Sequence, residues 1–324
     1  MLTRRTTLIR AGALGACITT GYGGYRAGFS AATPVPKTIA DFTVMAGACD
    51  THVHVIGDSS EFPMSPDRDS TPPEATAGDL LQMLQSVNLS RVVIVTPALY
   101  RNDNSATIAA ISQIGRHRAR GVAWVSATAS AEQLKPMSEA GIVGFRVAFY
   151  TTPFDVASQT RRLRALFELA ERSGWHLDIA TPPDVIAALA RELGSCPVPF
   201  VLDTFAWTAG STTQRGFRAV LALVESGRAY VKLSEPYRVS NKGPDYPDLI
   251  PVVRAFVGAN PERVLWGSGW PYLSDRAAGK SNTDITPALP IDAGHLLNLL
   301  AAWVPDPATR RKILVENPAR LYGF

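Results

Sequence analysis

Residues 48–57 read ACDTHVHVIG, and this stretch decides the fold of the chain. Its apolar residues predict a buried strand, on which His52 and His54 occupy alternate positions. Side chains two residues apart on a strand point the same way and lie about 6.6 Å apart along it. Both imidazoles can therefore ligate one metal ion or hydrogen-bond one substrate. The alternative is a pair of core histidines bonded to backbone groups.

Short apolar strands alternate with amphipathic helices over the rest of the chain. The predicted strands are 48–56, 91–97, 119–127, 142–149, 175–180, 198–204, 229–234 and 262–268. Runs between them, such as QTRRLRALFELAERSG, repeat apolar residues every three to four positions and predict helices. Continuous apolar strands joined by helices indicate a parallel sheet covered on both faces. The pattern predicts an α/β fold, a single (β/α)8 TIM barrel over residues 48–324.

An open doubly wound sheet is the competing architecture. Such a sheet usually carries a Gly-rich phosphate loop after an early strand, and the sequence has no such loop. Long loops also follow several predicted strands, at 57–78, 98–104, 150–156, 235–246 and 269–288. In a barrel these loops form the active-site face, so the histidine pair lies at the functional end.

The N-terminus predicts an export leader. Residues 1–32 begin with a Thr-Arg-Arg sequence that resembles a twin-arginine signal, and they end in small residues suited to signal peptidase. The apolar run at 11–20 is too short to span a membrane. A lipid anchor at Cys17 is the alternative. Residues 33–47 form a predicted linker, and the mature protein is expected in the periplasm or outside the cell.

The positive net charge belongs to this leader. Residues 1–31 hold four of the 32 basic residues and no acidic one, so the remaining 28 basic residues equal the 28 acidic ones. The body of the chain has no stripe of Lys and Arg, which excludes nucleic acid as a predicted partner. The expected partner is a small anionic substrate, and the sequence leaves the oligomeric state open.

A series of motifs resembles the amidohydrolase-related branch of the amidohydrolase superfamily, which includes 2-pyrone-4,6-dicarboxylate lactonase and galactarolactone isomerase. The matching pieces are HVHVIG, FPMSPDR, TPPEAT, VTPALYRNDNS, GFRVAF, VKLSEPYR, RVLWGSGWPY and ENPARLYGF. They run in order over residues 48–324. The resemblance implies a TIM barrel that hydrolyses or isomerises small anionic lactones, often without a tightly bound metal.

The same resemblance implies a set of site residues. His52 and His54 match the first-strand pair. The residues expected to bind substrate are Tyr100, Asn102, Arg146, Ser234, Tyr237, Arg238 and Trp270. Arg146 and Arg238 suit this role because a guanidinium binds a carboxylate through two hydrogen bonds, although an ordinary ion pair or a solvated loop arginine is the alternative.

Three positions depart from the family pattern. An Asp-His pair usually ends strand six, where this chain has Asp203-Thr204. Strand eight usually carries an Asp that acts as general base on the attacking water and then a His, where this chain has Gly269 and Tyr272. Two histidines alone do not retain zinc well, since zinc takes three or four protein ligands. We therefore predict no tightly bound metal, with a weakly bound divalent metal such as zinc at His52 and His54 as the alternative.

A carboxylate from elsewhere could replace the missing base. The predicted catalytic residues are His52 and His54 together with Asp178 on strand five and Asp275 after strand eight. Glu235 at the end of strand seven is a further candidate, and all three carboxylates could instead be structural.

Three functions follow from this reading. The first is an exported, metal-independent hydrolase of a small anionic lactone or ester. The second is an isomerase or lyase that uses the same histidines and needs no activated water. The third is a degenerate periplasmic barrel that binds a ligand without turnover.

Overall fold

The computed structural model describes residues 36–149 and 154–324, and eight parallel strands follow one another in chain order within one sheet. They are β1 (Cys49–Val53), β2 (Arg91–Val95), β3 (Ala119–Ala123), β4 (Ile142–Ala148), β5 (His176–Ala180), β6 (Phe200–Leu202), β7 (Ala229–Ser234) and β8 (Val264–Gly267). Each lies inside its predicted window. The predicted strands are too long mainly at their carboxyl ends, because the residues there no longer pair with a neighbouring strand and belong to the loops.

The sheet closes between β8 and β1. The backbone N–H of Gly269 donates to the carbonyl of His52 at 2.9 Å, and the Thr51 hydroxyl donates to the carbonyl of Trp266 at 2.8 Å. Gly267 permits this close approach, since a Cβ there would stand 2.5 Å from the Cβ of His52. The predicted TIM barrel is confirmed.

Helices cover the outside of the barrel. They are α1 (Ala77–Ser86), α2 (Ser105–Ile114), α3 (Ala131–Ala140), α4 (Val156–Ser173), α5 (Pro183–Leu193), α6 (Phe217–Glu225), α7 (Pro236–Val239), α8 (Ile250–Ala259), α9 (Ala293–Trp303), α10 (Pro307–Arg311) and α11 (Asn317–Tyr322). The amphipathic α4 buries Leu163, Leu166 and Phe167 against the sheet and ends at Gly174, which takes a left-handed conformation.

Two apolar layers fill the molecule. The larger lies between the sheet and the helices. The smaller fills the lower barrel with side chains from several strands, including Cys49, Val93, Val122 and Leu265, and Tyr322 of α11 packs into it. The polar upper barrel thus stands on an apolar floor, which leaves the carboxyl ends of the strands for chemistry.

The N-terminal segment only partly enters the described residues. The predicted leader at 1–32 lies outside them. The backbone N–H groups of Lys37 and Thr38 donate to Asp292, which also caps the start of α9. No helix in the described part of the chain is long and apolar enough to cross a membrane.

Candidate active site

His52 and His54 lie side by side where β1 ends. Their ring centroids are 5.0 Å apart, and the ring planes meet at 86°. Both residues are buried. The alternate spacing on the strand therefore brings the two imidazoles together, as the sequence predicts.

The ring of His54 is fixed by the neighbouring strand. Its Nδ1 lies 2.6 Å from the carbonyl oxygen of Val95, which can only accept, so Nδ1 carries the proton and Nε2 is left as an acceptor. Burial, and then the proximity of His52 and Arg146, lower the pKa of His54 to about 3. At neutral pH this imidazole is neutral.

Asp203 holds the ring of His52. One carboxylate oxygen lies 2.9 Å from His52 Nδ1, and the other accepts a hydrogen bond from Arg146 Nη2 at 2.6 Å. Burial alone would favour the neutral acid, but His52, Arg146 and Lys232 together hold the pKa of Asp203 well below its usual range. An ionised carboxylate on Nδ1 leaves His52 Nε2 directed away from it.

Glu235 faces His52 from the other side. It directly follows β7, and its Oε2 lies 3.6 Å from His52 Nε2 and accepts a hydrogen bond from the Thr204 hydroxyl at 2.9 Å. Its Oε1 accepts from Arg238 Nε at 2.9 Å. Although burial opposes ionisation, the charge of Arg238, with smaller contributions from the neighbouring His52 and His54, lowers the pKa of Glu235 to about 2.

The two predicted arginines both pair with acids of the protein. Arg146 pairs with Asp203, and its side chain is 11% exposed. Arg238 uses Nε on Glu235, donates from Nη2 to the carbonyl of Leu273, and brings Nη1 within 3.5 Å of Asp275. Arg238 therefore anchors the Glu235 carboxylate.

The predicted catalytic carboxylates lie elsewhere. Asp178 lies 2.5 Å from Lys232 Nζ, and both side chains are fully buried inside the barrel. The side chain of Asp275 is 60% exposed, and its contact with the site runs through Arg238. Neither has a described contact with the two histidine rings, whereas Glu235 does.

The remaining predicted substrate-binding residues differ in burial and in their contacts. Tyr100 is buried, and its hydroxyl accepts from the backbone N–H of Gly57 at 3.1 Å. Ser234 and Trp270 are buried, and Asn102 is exposed. The hydroxyl of Tyr237 lies 3.3 Å from both Glu235 Oε1 and the carbonyl oxygen of Gly269.

Asp203 lies in the site although it is not among the predicted site residues. In the sequence it stands only as half of the altered Asp203-Thr204 pair, yet its carboxylate lies 2.9 Å from His52 Nδ1. The available signal was its position, because a lone acid at the carboxyl end of a barrel strand points to the active-site face.

The donor set of this pocket fits a divalent metal. One ligand atom each from His52, His54 and Glu235 lies within 4.8 Å of the others, and all three residues are buried. Two histidines and a glutamate hold the zinc ion of some hydrolases. The other ring nitrogens bond a carboxylate and a carbonyl, as is usual for metal-bound histidine. If a metal ion were bound, His52, His54 and Glu235 would hold it, and Glu235 would be the third ligand beside the two histidines. Metal independence stays a prediction.

Comparison with known proteins agrees with this geometry. A family model described as amidohydrolase (Amidohydro_2) matches residues 49–324. The chain is 32% identical over 284 residues to 4-sulfomuconolactone hydrolase of Rhizobium radiobacter, covering 87% of this chain and 92% of the relative. It is 29% identical over 292 residues to 2-pyrone-4,6-dicarboxylate hydrolase of Comamonas testosteroni, covering 87% and 92%. It is 28% identical over 280 residues to D-galactarolactone isomerase of Agrobacterium fabrum, covering 85% and 91%. The resemblance read from the motifs is confirmed, and the chain belongs to the Amidohydro_2 family of amidohydrolases.

Proposed function

We propose that this chain hydrolyses the ester bond of a small anionic lactone at the carboxyl ends of its barrel strands. The observation that carries the proposal is the convergence of His52, His54 and Glu235 in one buried pocket. Hydrolysis of a lactone needs a group that accepts a proton from water and a group that returns one to the leaving oxygen. Two relatives whose names describe lactone or pyrone hydrolysis support the same reaction class.

The surrounding residues give each group a role. His54 is neutral, so its Nε2 can accept a hydrogen bond from water or from a substrate hydroxyl. Asp203 fixes the ring of His52, whose Nε2 faces the reacting centre. Arg146 brings a positive charge close to the same rings and attracts an anionic group of the substrate.

The proposed reaction runs on these side chains without a resident metal. If a divalent cation is held by His52, His54 and Glu235, it would polarise the lactone carbonyl and lower the pKa of a bound water. The zinc content of the purified protein distinguishes the metal-free enzyme from a zinc-bound one. Stoichiometric zinc in protein purified without added metal would overturn metal independence and leave the hydrolase proposal standing.

Isomerisation is the second candidate. It is favoured by the relative named as an isomerase and by Gly269, which lacks the carboxylate that the family resemblance implies for activating water. An isomerase moves a proton within its substrate, so the histidine pair would suffice.

A lactone panel tests both candidates. Carboxylated and sulfonated lactones are offered beside uncharged lactones and esters of equal size, to wild type, His54→Ala and the exposed control His117→Ala. We expect wild type and the control to hydrolyse a charged lactone with release of acid, and His54→Ala to be about 100-fold slower. Loss of lactone without acid release would indicate isomerisation. Absence of turnover with ligand still bound would indicate a binding protein.

Export completes the proposal, because the first residues resemble a twin-arginine signal. Cell fractionation of the full chain and of an Arg4→Lys/Arg5→Lys variant tests it. We expect the wild-type protein outside the cytoplasm and the variant inside. Equal distribution of the two would contradict this route.

A further inference from the structure

Gly269 has no side chain, and neighbouring residues fill the space that a side chain at this position would occupy. Gly269 donates its backbone N–H to the carbonyl of His52, so the position adjoins the histidine pair. A Cβ built on Gly269 would stand 2.5 Å from Cγ of Glu235 and 2.6 Å from the Tyr237 hydroxyl. The Glu235 side chain thus fills the space into which a residue at 269 would project.

The occupant of that space is a carboxylate with a defined orientation. Arg238 and Tyr237 contact Oε1, which leaves Oε2 directed toward His52 Nε2 and the Thr204 hydroxyl. Within the described residues, Glu235 belongs to the one cluster of three or more metal-type ligand groups, and the other two members are the histidines. A carboxylate oxygen therefore lies where it can share a water molecule with both rings.

The backbone of Glu235 is in a conformation that favours glycine. Its φ is 53°, in the left-handed region, and Pro236 follows directly as the first residue of α7. A non-glycine residue there costs roughly 1 kcal/mol or more, and such positions concentrate at functional sites. The chain therefore has a glutamate at position 235 although a glycine would lower the backbone strain there.

We propose that Glu235 accepts the proton of the attacking water, and that it does so from the space which a side chain at position 269 would otherwise occupy. This inference rests on the proposed lactone hydrolysis. The water oxygen forms a bond to the lactone carbonyl carbon, and one water proton passes to Oε2. The tetrahedral intermediate then breaks its bond to the ring oxygen, which takes the proton back from Oε2, so that the Glu235 carboxylate is restored and a hydroxy acid leaves. No oxidant or further reactant is needed.

A structural role for Glu235 is the competing explanation, because the residue also pairs with Arg238. A catalytic base and a structural ion pair respond differently when a carboxylate is supplied from another residue or from solution. A base works again when a carboxylate returns to the same space from another attachment point. A merely structural ion pair gains nothing from a free carboxylate in solution.

The test compares full-length Glu235→Gln, Glu235→Gly, Gly269→Asp and the double variant Glu235→Gly/Gly269→Asp on a lactone that wild type hydrolyses. We expect kcat to fall at least about 100-fold in both Glu235 variants, with a smaller change in KM. Sodium formate, but not sodium chloride, should restore part of the Glu235→Gly activity. The double variant should exceed Glu235→Gly at least about tenfold. Glu192→Gln, an ion-paired acid on the outer helix α5, is the control.

Thermal unfolding gives a readout that does not depend on turnover. Gly269→Asp alone should lower Tm, because its Cβ would meet Glu235 and the Tyr237 hydroxyl and because φ at this position is 77°. The double variant should recover only the part of that loss that comes from the contact with Glu235. A folded double variant no more active than Glu235→Gly, or no formate rescue, overturns the inference.

Other outcomes separate the inference from the proposed function. Full activity of Glu235→Gln overturns the role of Glu235 alone. Zinc that is bound by wild type and lost in Glu235→Gln makes the residue a metal ligand and overturns its role as base. Absence of lactone turnover by wild type overturns the proposed function and this inference together.

Discussion

The histidines of this barrel owe their properties to partners on other strands. His54 is neutral because it is buried and bonded to Val95, and His52 is oriented by Asp203 from β6. Arg146 and Lys232 in turn keep Asp203 ionised. The chemistry of each ring is therefore a property of the assembled barrel and not of the motif alone.

His176 is a buried histidine outside this network. It begins β5 at the lower end of the barrel, and its ring meets Tyr322 edge-on at a centroid distance of 5.2 Å. Burial, and then the charge of Lys232, lower its pKa to about 3. Its position at the start of β5, away from the histidine pair, fits a structural role.

The pH dependence of stability follows from this shift. Because the folded pKa lies below the unfolded value of about 6.5, the unfolded chain binds a proton that the folded chain excludes. The contribution of His176 is fully present above about pH 6.5 and is lost at up to about 1.4 kcal/mol per pH unit as the pH falls toward 3. We expect His176→Phe to lose less unfolding free energy than wild type between pH 6.5 and 4.5 in urea titrations. The exposed control His117→Gln should retain the wild-type slope, and a wild-type slope in His176→Phe would contradict the assignment.

At the scale of elements, the turn after β6 is the most unusual feature. Thr204, Phe205, Ala206 and Trp207 all have positive φ, between 47° and 54°. The turn presents the Thr204 hydroxyl to Glu235 and packs Phe205 against Trp303 of α9, with ring centroids 6.0 Å apart. Left-handed backbone costs a non-glycine residue roughly 1–2 kcal/mol, so tertiary contacts must hold this turn.

Replacement of one turn residue by glycine measures that strain. Ala206 is buried with φ of 52°, and Ala222 is exposed within the right-handed helix α6. Ala222→Gly should cost about 1 kcal/mol of unfolding free energy. Ala206→Gly should be neutral or stabilising by up to about 1 kcal/mol, because relief of the backbone offsets the lost methyl group. Urea unfolding of both variants checks this, and a loss above about 1 kcal/mol for Ala206→Gly would contradict it.

At the scale of the molecule, the two ends of the barrel differ in the residues that they carry. The upper end carries the histidine pocket. The lower end is closed by the last residues of the chain, where Tyr322 is buried and the guanidinium groups of Arg91 and Arg120 each contact the ring of Phe324. Damage at the lower end should therefore affect stability and not chemistry.

Removal of residues 321–324 tests this division. The deletion uncovers the apolar floor of the barrel, and we expect it to cost about 3–5 kcal/mol of unfolding free energy, comparable to removing a large buried aromatic side chain. The value of kcat/KM per folded molecule should stay within about twofold of wild type. Deletion of Phe324 alone is the milder control. A large fall in kcat/KM at full folding would show that the two ends are coupled.

The sequence by itself determined the barrel, its reactive end and the histidine pair. The alternation of strands with helices and the spacing of His52 and His54 are local patterns, and local patterns can be read directly from the order of residues. The family followed from motifs that run in order along the chain.

Only the tertiary structure decided which acids lie next to these histidines. The sequence predicts Asp178 and Asp275 as catalytic acids and offers Glu235 only as a further candidate, because the order of residues does not say which side chains meet across a closed sheet. Closure of β8 against β1 places Gly269 beside His52, and the end of β7 brings Glu235 into the space that Gly269 leaves. Pairing with Lys232 commits Asp178 to the barrel interior, and exposure places Asp275 outside the pocket. These assignments depend on distances between residues more than 30 positions apart, which only the folded barrel fixes.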